Sequence, residues 1–354
     1  MHCAGAARAR GARVHRLAAL LAALIGCAAA RAQDMVFSDY GAQSSSLEIV
    51  RRLLSPLAAR LLERRLAAAA QHLDAQPIDL ASERFTVHVP PQAPEHGYAL
   101  LVFIQPWKEA LLPSGWAAVF DRYGMIYVSA ARSGNDADVL TRRGPLALLA
   151  AHNLMQRYRI DPARVYIGGF SGGSRVALRL ALAYPELFRG ALLNSGSDPM
   201  DAGPPSPPSP EGLRQLQEAS RFVYVTGERD TDNLSLDLAS QQSLRRWCVF
   251  DFDSQVMAHA GHQALDAASL ARALAGLARH SAPDAAKLAS CRAQLSARID
   301  GQLDEVAALI ASGRRAEAQR RLLEADRHLG GAATPRSLEL EDALGWEVAA
   351  GPHG

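Results

Sequence analysis

A single serine, Ser171, lies among four glycines between two apolar segments of different pattern. Residues 169–173 have the form G-x-S-x-G, with an apolar β-branched run before them and apolar residues at helical spacing after them. This setting predicts a nucleophile elbow, a tight strand-to-helix turn that exposes the serine hydroxyl above a sheet. Glycine is needed on both sides of the serine because side chains there would collide across the turn. The sequence therefore suggests nucleophilic attack by Ser171.

Two other uses of a glycine-rich loop do not fit these residues. A phosphate-binding P-loop ends in G-K-S/T, whereas Arg175 follows Gly173 and Ser174 here, and the dinucleotide pattern G-x-G-x-x-G is not matched either. A helix that begins at Gly172 would point its first N–H groups at the reacting centre. We therefore expect the Gly172 N–H to be one donor of an oxyanion hole.

A serine nucleophile needs an orienting carboxylate and a base, which follow such an elbow in the order Asp or Glu, then His. Asp230 comes just after an apolar strand pattern, within the segment GERDTDN, and is the predicted acid. Glu228 and Asp232 are the alternatives in the same segment. Asp230 is preferred because the acid belongs on the turn that leaves this strand.

The predicted base is His262, which follows Gly261 and directly precedes the last helix of the α/β pattern. His259 lies in the same connection and is the alternative. Three other histidines are not candidates for the base. His88 and His152 lie within earlier elements and are predicted to be structural, and His280 lies beyond the closing helix, too late in the chain.

Apolar runs typical of buried strands alternate with helical patterns over residues 83–280, which predicts an α/β domain with a mostly parallel sheet covered on both faces. The predicted strands are 83–90, 98–105, 124–131, 164–170, 188–196, 221–228 and 247–253, and the predicted helices are 145–158, 172–185 and 264–280. The proline-rich segment 198–212 either borders the pocket or is a surface excursion.

The chain is predicted to have four parts. Residues 1–32 form a leader with a basic start, a short apolar stretch and an A-x-A cleavage site, which indicates export to the periplasm or the medium. The segment LIGC also resembles a lipobox that would make Cys27 a lipidated N-terminus. Residues 33–80 are a helical segment divided at Pro56, 81–280 are the α/β domain, and 281–354 are a helical appendage with a break near Ser312 and Gly313. The mature chain is expected to have no transmembrane helix.

Charge and cysteine usage are consistent with an exported protein. Of the 38 basic residues against 36 acidic ones, five arginines lie in the leader, which leaves the mature chain with a net charge of about −3. Such a balance gives no support for nucleic-acid binding. Outside the leader the cysteines are Cys248, in a predicted strand, and Cys291, in the appendage. They form one candidate disulfide, with two buried free thiols as the alternative.

These residues resemble the α/β-hydrolase superfamily, and more narrowly its secreted esterases of the polyhydroxybutyrate-depolymerase and feruloyl-esterase type. The resemblance rests on DPARVYIGGFSGG (161–173), the turn that carries Asp230, and the Gly261–His262 pair, and it covers residues 83–280. It implies an α/β-hydrolase fold and a Ser171–His262–Asp230 triad that cleaves an ester substrate through an acyl-enzyme, without metal or cofactor.

The chain departs from those relatives after its third strand, where they carry a His-Gly pair and this sequence has Gln105-Pro106-Trp107. Pro106 has no N–H to donate. The second oxyanion donor is therefore expected to be the N–H of Gln105 or Trp107. Two other functions stay open: a peptidase or amidase with the same triad, and a catalytically silent binding module.

Overall fold

The computed structural model describes residues 32–200 and 203–345. The predicted leader, including Cys27, lies outside the described residues apart from Ala32. None of the helices in the described part of the chain is long and apolar enough to cross a bilayer.

Within the described residues, eight strands form one mostly parallel sheet in the order β1-β2-β4-β3-β5-β6-β7-β8. Only the β1–β2 and β2–β4 pairs are antiparallel. The strands are β1 (Gln33–Met35), β2 (Phe85–His88), β3 (Tyr98–Ile104), β4 (Met125–Ala130), β5 (Ile160–Phe170), β6 (Gly190–Asn194), β7 (Arg221–Gly227) and β8 (Phe252–Met257).

Helices cover both faces of this sheet, as the apolar strands require. They are α1 (Ser46–Leu53), α2 (Pro56–Ala68), α3 (Trp116–Tyr123), α4 (Gly144–Arg157), α5 (Gly172–Ala183), α6 (Pro210–Ala219), α7 (Thr231–Arg246), α8 (Ala267–Leu277), α9 (Ala285–Ala311), α10 (Arg315–Leu329) and α11 (Arg336–Leu344). Adjacent residues of β3 point to opposite faces. Leu101 packs in an apolar cluster with α3 and α8, and Leu100 in another with α1, α4 and α5. The predicted α/β class and doubly covered sheet are confirmed.

The last strand differs from the prediction. Residues 247–253 were expected to form it, but the strand runs from Phe252 to Met257, and Cys248 lies in the turn after α7 with a φ of 62°. Trp247 and Val249 are buried there because the chain folds back on the end of α7, where the Val249 N–H donates to the Leu244 carbonyl at 2.9 Å. Cys248 is therefore not in a core strand.

The predicted division at Pro56 is present, since α1 ends at Leu53 and α2 begins at Pro56. The appendage also breaks where its sequence indicates, between α9 and α10. It packs back on the N-terminal segment, and Leu57 of α2 shares an apolar cluster with Leu322 of α10 and Leu344 of α11.

The proline-rich segment meets the C-terminal helices, where Gly331 N–H donates to the Pro207 carbonyl at 2.8 Å. A disulfide joins Cys248 to Cys291 of α9. The appendage is thus attached to the α/β part of the chain both by packing and by a covalent bond.

Candidate active site

Ser171 occupies a strained turn between β5 and α5. Its φ is 54° and its ψ is −123°, a conformation that non-glycine residues rarely adopt. The turn is held because Ser171 N–H donates to the Asn194 carbonyl at 2.9 Å. Observed strain of this kind at the end of a central strand is the mark of a nucleophile elbow.

The glycines around the serine allow several backbone segments to approach closely. A methyl group on Gly169 would lie 2.4 Å from the carbonyl carbon of Gly173, and one on Gly173 would lie 2.0 Å from the Ile104 carbonyl oxygen. Gly196, on the loop after β6, has a similar role, because its methyl would lie 2.3 Å from the Ser171 carbonyl oxygen. No sequence pattern predicts this contact.

The three predicted triad residues meet at the carboxyl edge of the sheet. His262 Nε2 lies 2.9 Å from Ser171 Oγ, and His262 Nδ1 lies 2.7 Å from Asp230 Oδ2. Ser171 follows β5, Asp230 follows β7 and His262 follows β8. Parallel strands bring their carboxyl ends to one edge, which is why residues far apart in sequence become neighbours.

Asp230 is more buried than its partner, with 8% of its side chain exposed against 44% for His262. Burial would raise the pKa of the Asp230 carboxyl, but hydrogen bonds from His262 and Asn233 outweigh it and hold that pKa below its ordinary value. Asn233 Nδ2 donates to both carboxylate oxygens, at 2.9 and 3.1 Å. An ionised Asp230 places the imidazole proton on Nδ1 and leaves Nε2 free to accept the serine proton.

The loop that carries His262 is fixed by backbone contacts. It crosses the end of β7, where a methyl on Gly227 would lie 2.2 Å from the Gly261 carbonyl oxygen. Beyond the histidine, Leu265 N–H donates to the Asn194 side chain at 3.1 Å. The imidazole ring also packs against Phe170, with 5.0 Å between the ring centroids. Glycine at 227 is therefore required by the close approach of the two chains.

The alternative acids and base do not take part in this arrangement. His259 is exposed, and its backbone N–H donates to the Glu228 carboxylate at 2.7 Å. Asp232 is exposed on the first turn of α7. The remaining histidines contact other groups: His88 bonds Asp121 at 2.8 Å, His280 bonds Asp251 at 2.6 Å, and His152 lies against Gly41.

The predicted oxyanion donors lie close to one another. Gly172 is the first residue of α5, and the backbone of Ile104 and Gln105 abuts the next residue, Gly173. The Gln105 side chain is buried and donates to the Leu111 carbonyl at 2.7 Å. The choice between the N–H groups of Gln105 and Trp107 as second donor stays a prediction.

Sequence reasoning missed two amides of this site. Asn233 lies one helical turn after Asp230 on α7, and Asn135 lies beside Gly172 on the loop after β4. The first could have been found by extending a helix from residue 231, since i and i+3 residues share a face. The second had only a weak signal, its place in a loop at the carboxyl end of a strand. Within the described residues, no group of three or more metal-binding side chains occurs.

The order of the parallel strands and the elbow after β5 together decide the architecture. The chain has the α/β-hydrolase fold. No family model and no curated protein sequence matches it.

Three solved structures show a distant likeness to this chain. An S-formylglutathione hydrolase from Staphylococcus aureus is 12% identical, with 55% of this chain and 92% of that chain covered and a TM-score of 0.43. A ferulic acid esterase is 18% identical over 54% of this chain and 88% of that one, with a TM-score of 0.40. A puromycin-hydrolyzing peptidase from Mycobacterium tuberculosis is 17% identical over 54% of this chain and 36% of that one, with a TM-score of 0.39. Likenesses this distant carry no information about the substrate of this chain.

Proposed function

We propose that the protein is a serine hydrolase that cleaves carboxylic esters through an acyl-enzyme on Ser171. The proposal rests on two connected hydrogen bonds: Ser171 Oγ lies 2.9 Å from His262 Nε2, and His262 Nδ1 lies 2.7 Å from Asp230. Ser171 lies at a strained elbow, a turn that exposes the serine hydroxyl to a ligand.

The first half of the reaction forms the acyl-enzyme. His262 Nε2 takes the hydroxyl proton as Ser171 Oγ attacks the ester carbonyl carbon, and the carbonyl oxygen becomes an oxyanion beside the Gly172 N–H. The tetrahedral intermediate then collapses. The bond to the alcohol oxygen breaks, and His262 returns its proton to that oxygen, so a neutral alcohol leaves and the acyl group stays on Ser171.

The second half regenerates the enzyme. A water molecule gives a proton to His262 Nε2 and attacks the acyl carbonyl carbon, and a second oxyanion forms in the same place. Collapse breaks the bond to Ser171 Oγ, which recovers its proton from His262, and a carboxylic acid is released. Asp230 keeps the imidazole in one orientation throughout and stabilises its positive charge.

Export belongs to the same proposal. The leader over residues 1–32 and the Cys248–Cys291 disulfide both suit an oxidising compartment, the periplasm or the medium. A lipidated Cys27 would keep the protein on the envelope. Cell fractionation followed by mass measurement of the intact protein tests this, because the two processing routes leave N-termini of different mass, and an unprocessed chain in the cytoplasm would contradict export.

The direct test is hydrolysis of p-nitrophenyl esters of two to eight acyl carbons by the protein beginning at Gln33. Ser171→Ala should abolish turnover and labelling by a fluorophosphonate probe. Ser235→Ala is the matched control, since this exposed serine of α7 only donates to the Thr231 carbonyl at 2.9 Å. Its activity should equal that of the wild type.

Each outcome decides between the candidate functions. Equal hydrolysis by the wild type and Ser171→Ala would overturn Ser171 as the nucleophile. Neither turnover nor labelling in the wild type would overturn the hydrolase and favour a binding module. Labelling without ester turnover, together with cleavage of peptide p-nitroanilides, would keep the nucleophile and replace the esterase by a peptidase.

A further inference from the structure

The loop after β4 lies directly against the residues that follow β3. Asn135 N–H donates to the Pro106 carbonyl at 2.9 Å, and Arg132 N–H donates to the Lys108 carbonyl at 2.6 Å. These two bonds fix the backbone at residues 132–135 beside the stretch predicted to supply the second oxyanion donor.

A buried arginine holds the same two loops from behind. Arg143 is 4% exposed and donates from Nη2 to the Gln105 carbonyl at 3.1 Å and from Nε to the Ser133 carbonyl at 3.0 Å. Burial lowers the pKa of this guanidinium to about 10, so it still carries its charge at neutral pH. One rigid side chain thus sets the distance between the β3 loop and the β4 loop.

The Asn135 amide lies against Gly172, one predicted donor, on a loop that also packs on Trp107, a candidate for the other. A methyl on Gly134 would lie 2.9 Å from the Trp107 carbonyl carbon, so that part of the loop packs on Trp107. A methyl on Gly172 would lie 2.2 Å from Asn135 Oδ1 and 3.0 Å from its Nδ2. The amide therefore stands against the residue after the nucleophile.

The Asn135 amide is also available to a ligand. Asn135 is exposed, and within the part of the chain that the structure describes its side chain makes no hydrogen bond. Rotation about the last side-chain bond exchanges Oδ1 and Nδ2, so either atom can face the reacting centre. The backbone of Asn135 is fixed by its hydrogen bond to Pro106, while the side-chain amide can still rotate.

We propose that Asn135 Nδ2 donates a hydrogen bond to the oxyanion formed when Ser171 attacks the substrate. It would act beside the Gly172 N–H and add a donor on the side where Pro106 has none. Preorganised side-chain amides can serve this purpose as backbone N–H groups do. The inference rests on the proposed hydrolase function and adds a catalytic residue to it.

The test compares Asn135→Ala and Asn135→Asp with the wild type on the best p-nitrophenyl ester. Removing one oxyanion donor costs about 100- to 1,000-fold in kcat, so Asn135→Ala should lose that factor while KM changes by less than about 3-fold. Asn135→Asp keeps the shape but places a carboxylate beside the developing negative charge, and its kcat should fall at least as far. Asp136→Asn, the next residue on the loop, whose carboxylate pairs with Lys108 at 3.0 Å, should retain wild-type kinetics.

A second measurement separates an oxyanion contact from a packing effect. A trifluoromethyl ketone adds to Ser171 and carries an oxyanion, so its inhibition constant should weaken in Asn135→Ala by about the same factor as kcat/KM. Thermal unfolding should be unchanged, because Asn135 is exposed.

The possible results are distinct. Wild-type kcat in either variant, a loss confined to KM, or a ketone affinity that does not follow kcat/KM would overturn the assignment of Asn135 while leaving the hydrolase in place. A wild type that neither hydrolyses esters nor binds the ketone would overturn both. The expected pattern, with an unaffected Asp136→Asn, would establish Asn135 as a donor to the oxyanion.

Discussion

Two buried aspartates of this chain lie in different surroundings and differ in the direction of their pKa shift. Asp230 lies just before α7 at the carboxyl edge of the sheet, and Asp326 lies on α10, where its carboxylate accepts hydrogen bonds from Ser55 and from the Leu57 N–H at the start of α2. The Asp230 pKa is held below its ordinary value by two side-chain donors, whereas burial raises the pKa of Asp326 against the bonds that lower it. Proximity to a protonatable partner separates the two cases.

The surroundings of the two carboxylates follow the same division. At the carboxyl edge of the sheet, His262 is 44% exposed and its loop is positioned by backbone contacts. At the contact between α2 and the C-terminal helices, Asp326 is 2% exposed and Glu341 is 1% exposed, the latter paired with Arg60 at 2.6 Å and with Arg64. Changes at the first region should therefore alter activity, and changes at the second should alter stability.

The largest effect is expected from Asp230→Asn. The amide leaves the geometry in place but can no longer stabilise the imidazolium, which costs about 10⁴-fold in kcat for an equivalent substitution in a serine protease, or about 5 kcal/mol. Steady-state kinetics on a p-nitrophenyl ester measures it. Asp232→Asn, an exposed neighbour on α7, is the control and should retain activity within about 2-fold. A loss below about 10-fold in Asp230→Asn would place the orienting acid elsewhere.

A smaller effect, and one on stability alone, is expected when the disulfide is removed. Cys248 and Cys291 are separated by 43 residues, and chain entropy then predicts a loss of about 4 kcal/mol in the free energy of unfolding. The Cys248→Ala, Cys291→Ala double variant should show this loss by urea denaturation. It should keep wild-type kcat at low temperature, because Cys248 precedes the amino end of β8, opposite the carboxyl edge of the sheet where Ser171 lies. Reduction of the wild type is the matched control. An unchanged urea midpoint, or a fall in kcat, would contradict the expectation that changes away from the site alter stability but not activity.

The parts predicted from sequence are those whose pattern follows from burial or from backbone geometry. Strands such as β3 and β7 are continuous apolar runs because both of their faces are covered, and Ser171 is marked by glycines that its turn requires. The α7 helix was missed because its buried face is polar. Asp237 of α7, for example, accepts hydrogen bonds from Ser197 at 2.5 Å and Thr226 at 2.6 Å, which an apolar period cannot reveal.

The last strand and the amides of the site escaped prediction for a related reason. Trp247 and Val249 are as apolar as strand residues, and only the fold-back at the end of α7 shows that helix packing buries them. Asn233 bonds Asp230 three residues earlier, a contact visible only once a helix is extended from residue 231. Asn135 lies beside Gly172, a neighbour that the tertiary fold supplies.

The smallest effect is a difference in how stability depends on pH. A carboxyl whose pKa is lowered by folding stabilises the protein above its ordinary pKa, and this stabilisation is lost as pH falls through the folded value. Asp230 is of this kind. A carboxyl whose pKa is raised by folding binds its proton more tightly in the folded state, so stability falls as pH rises from the ordinary value to the folded one. Asp326 is of this second kind.

Urea unfolding between about pH 3 and pH 7 measures this dependence. The free energy of unfolding of Asp230→Asn or Asp326→Asn is subtracted from that of the wild type, and the two differences should change with pH in opposite directions. Below about pH 4, the free energy of unfolding of the wild type should increase with pH relative to that of Asp230→Asn. Above that pH, it should decrease with pH relative to that of Asp326→Asn. The double variant should show both slopes, because the two sites share no partner. Slopes of the same sign would mean that burial, rather than the His262 and Asn233 hydrogen bonds, governs the Asp230 carboxyl, and the contrast between the two regions would then be one of exposure alone.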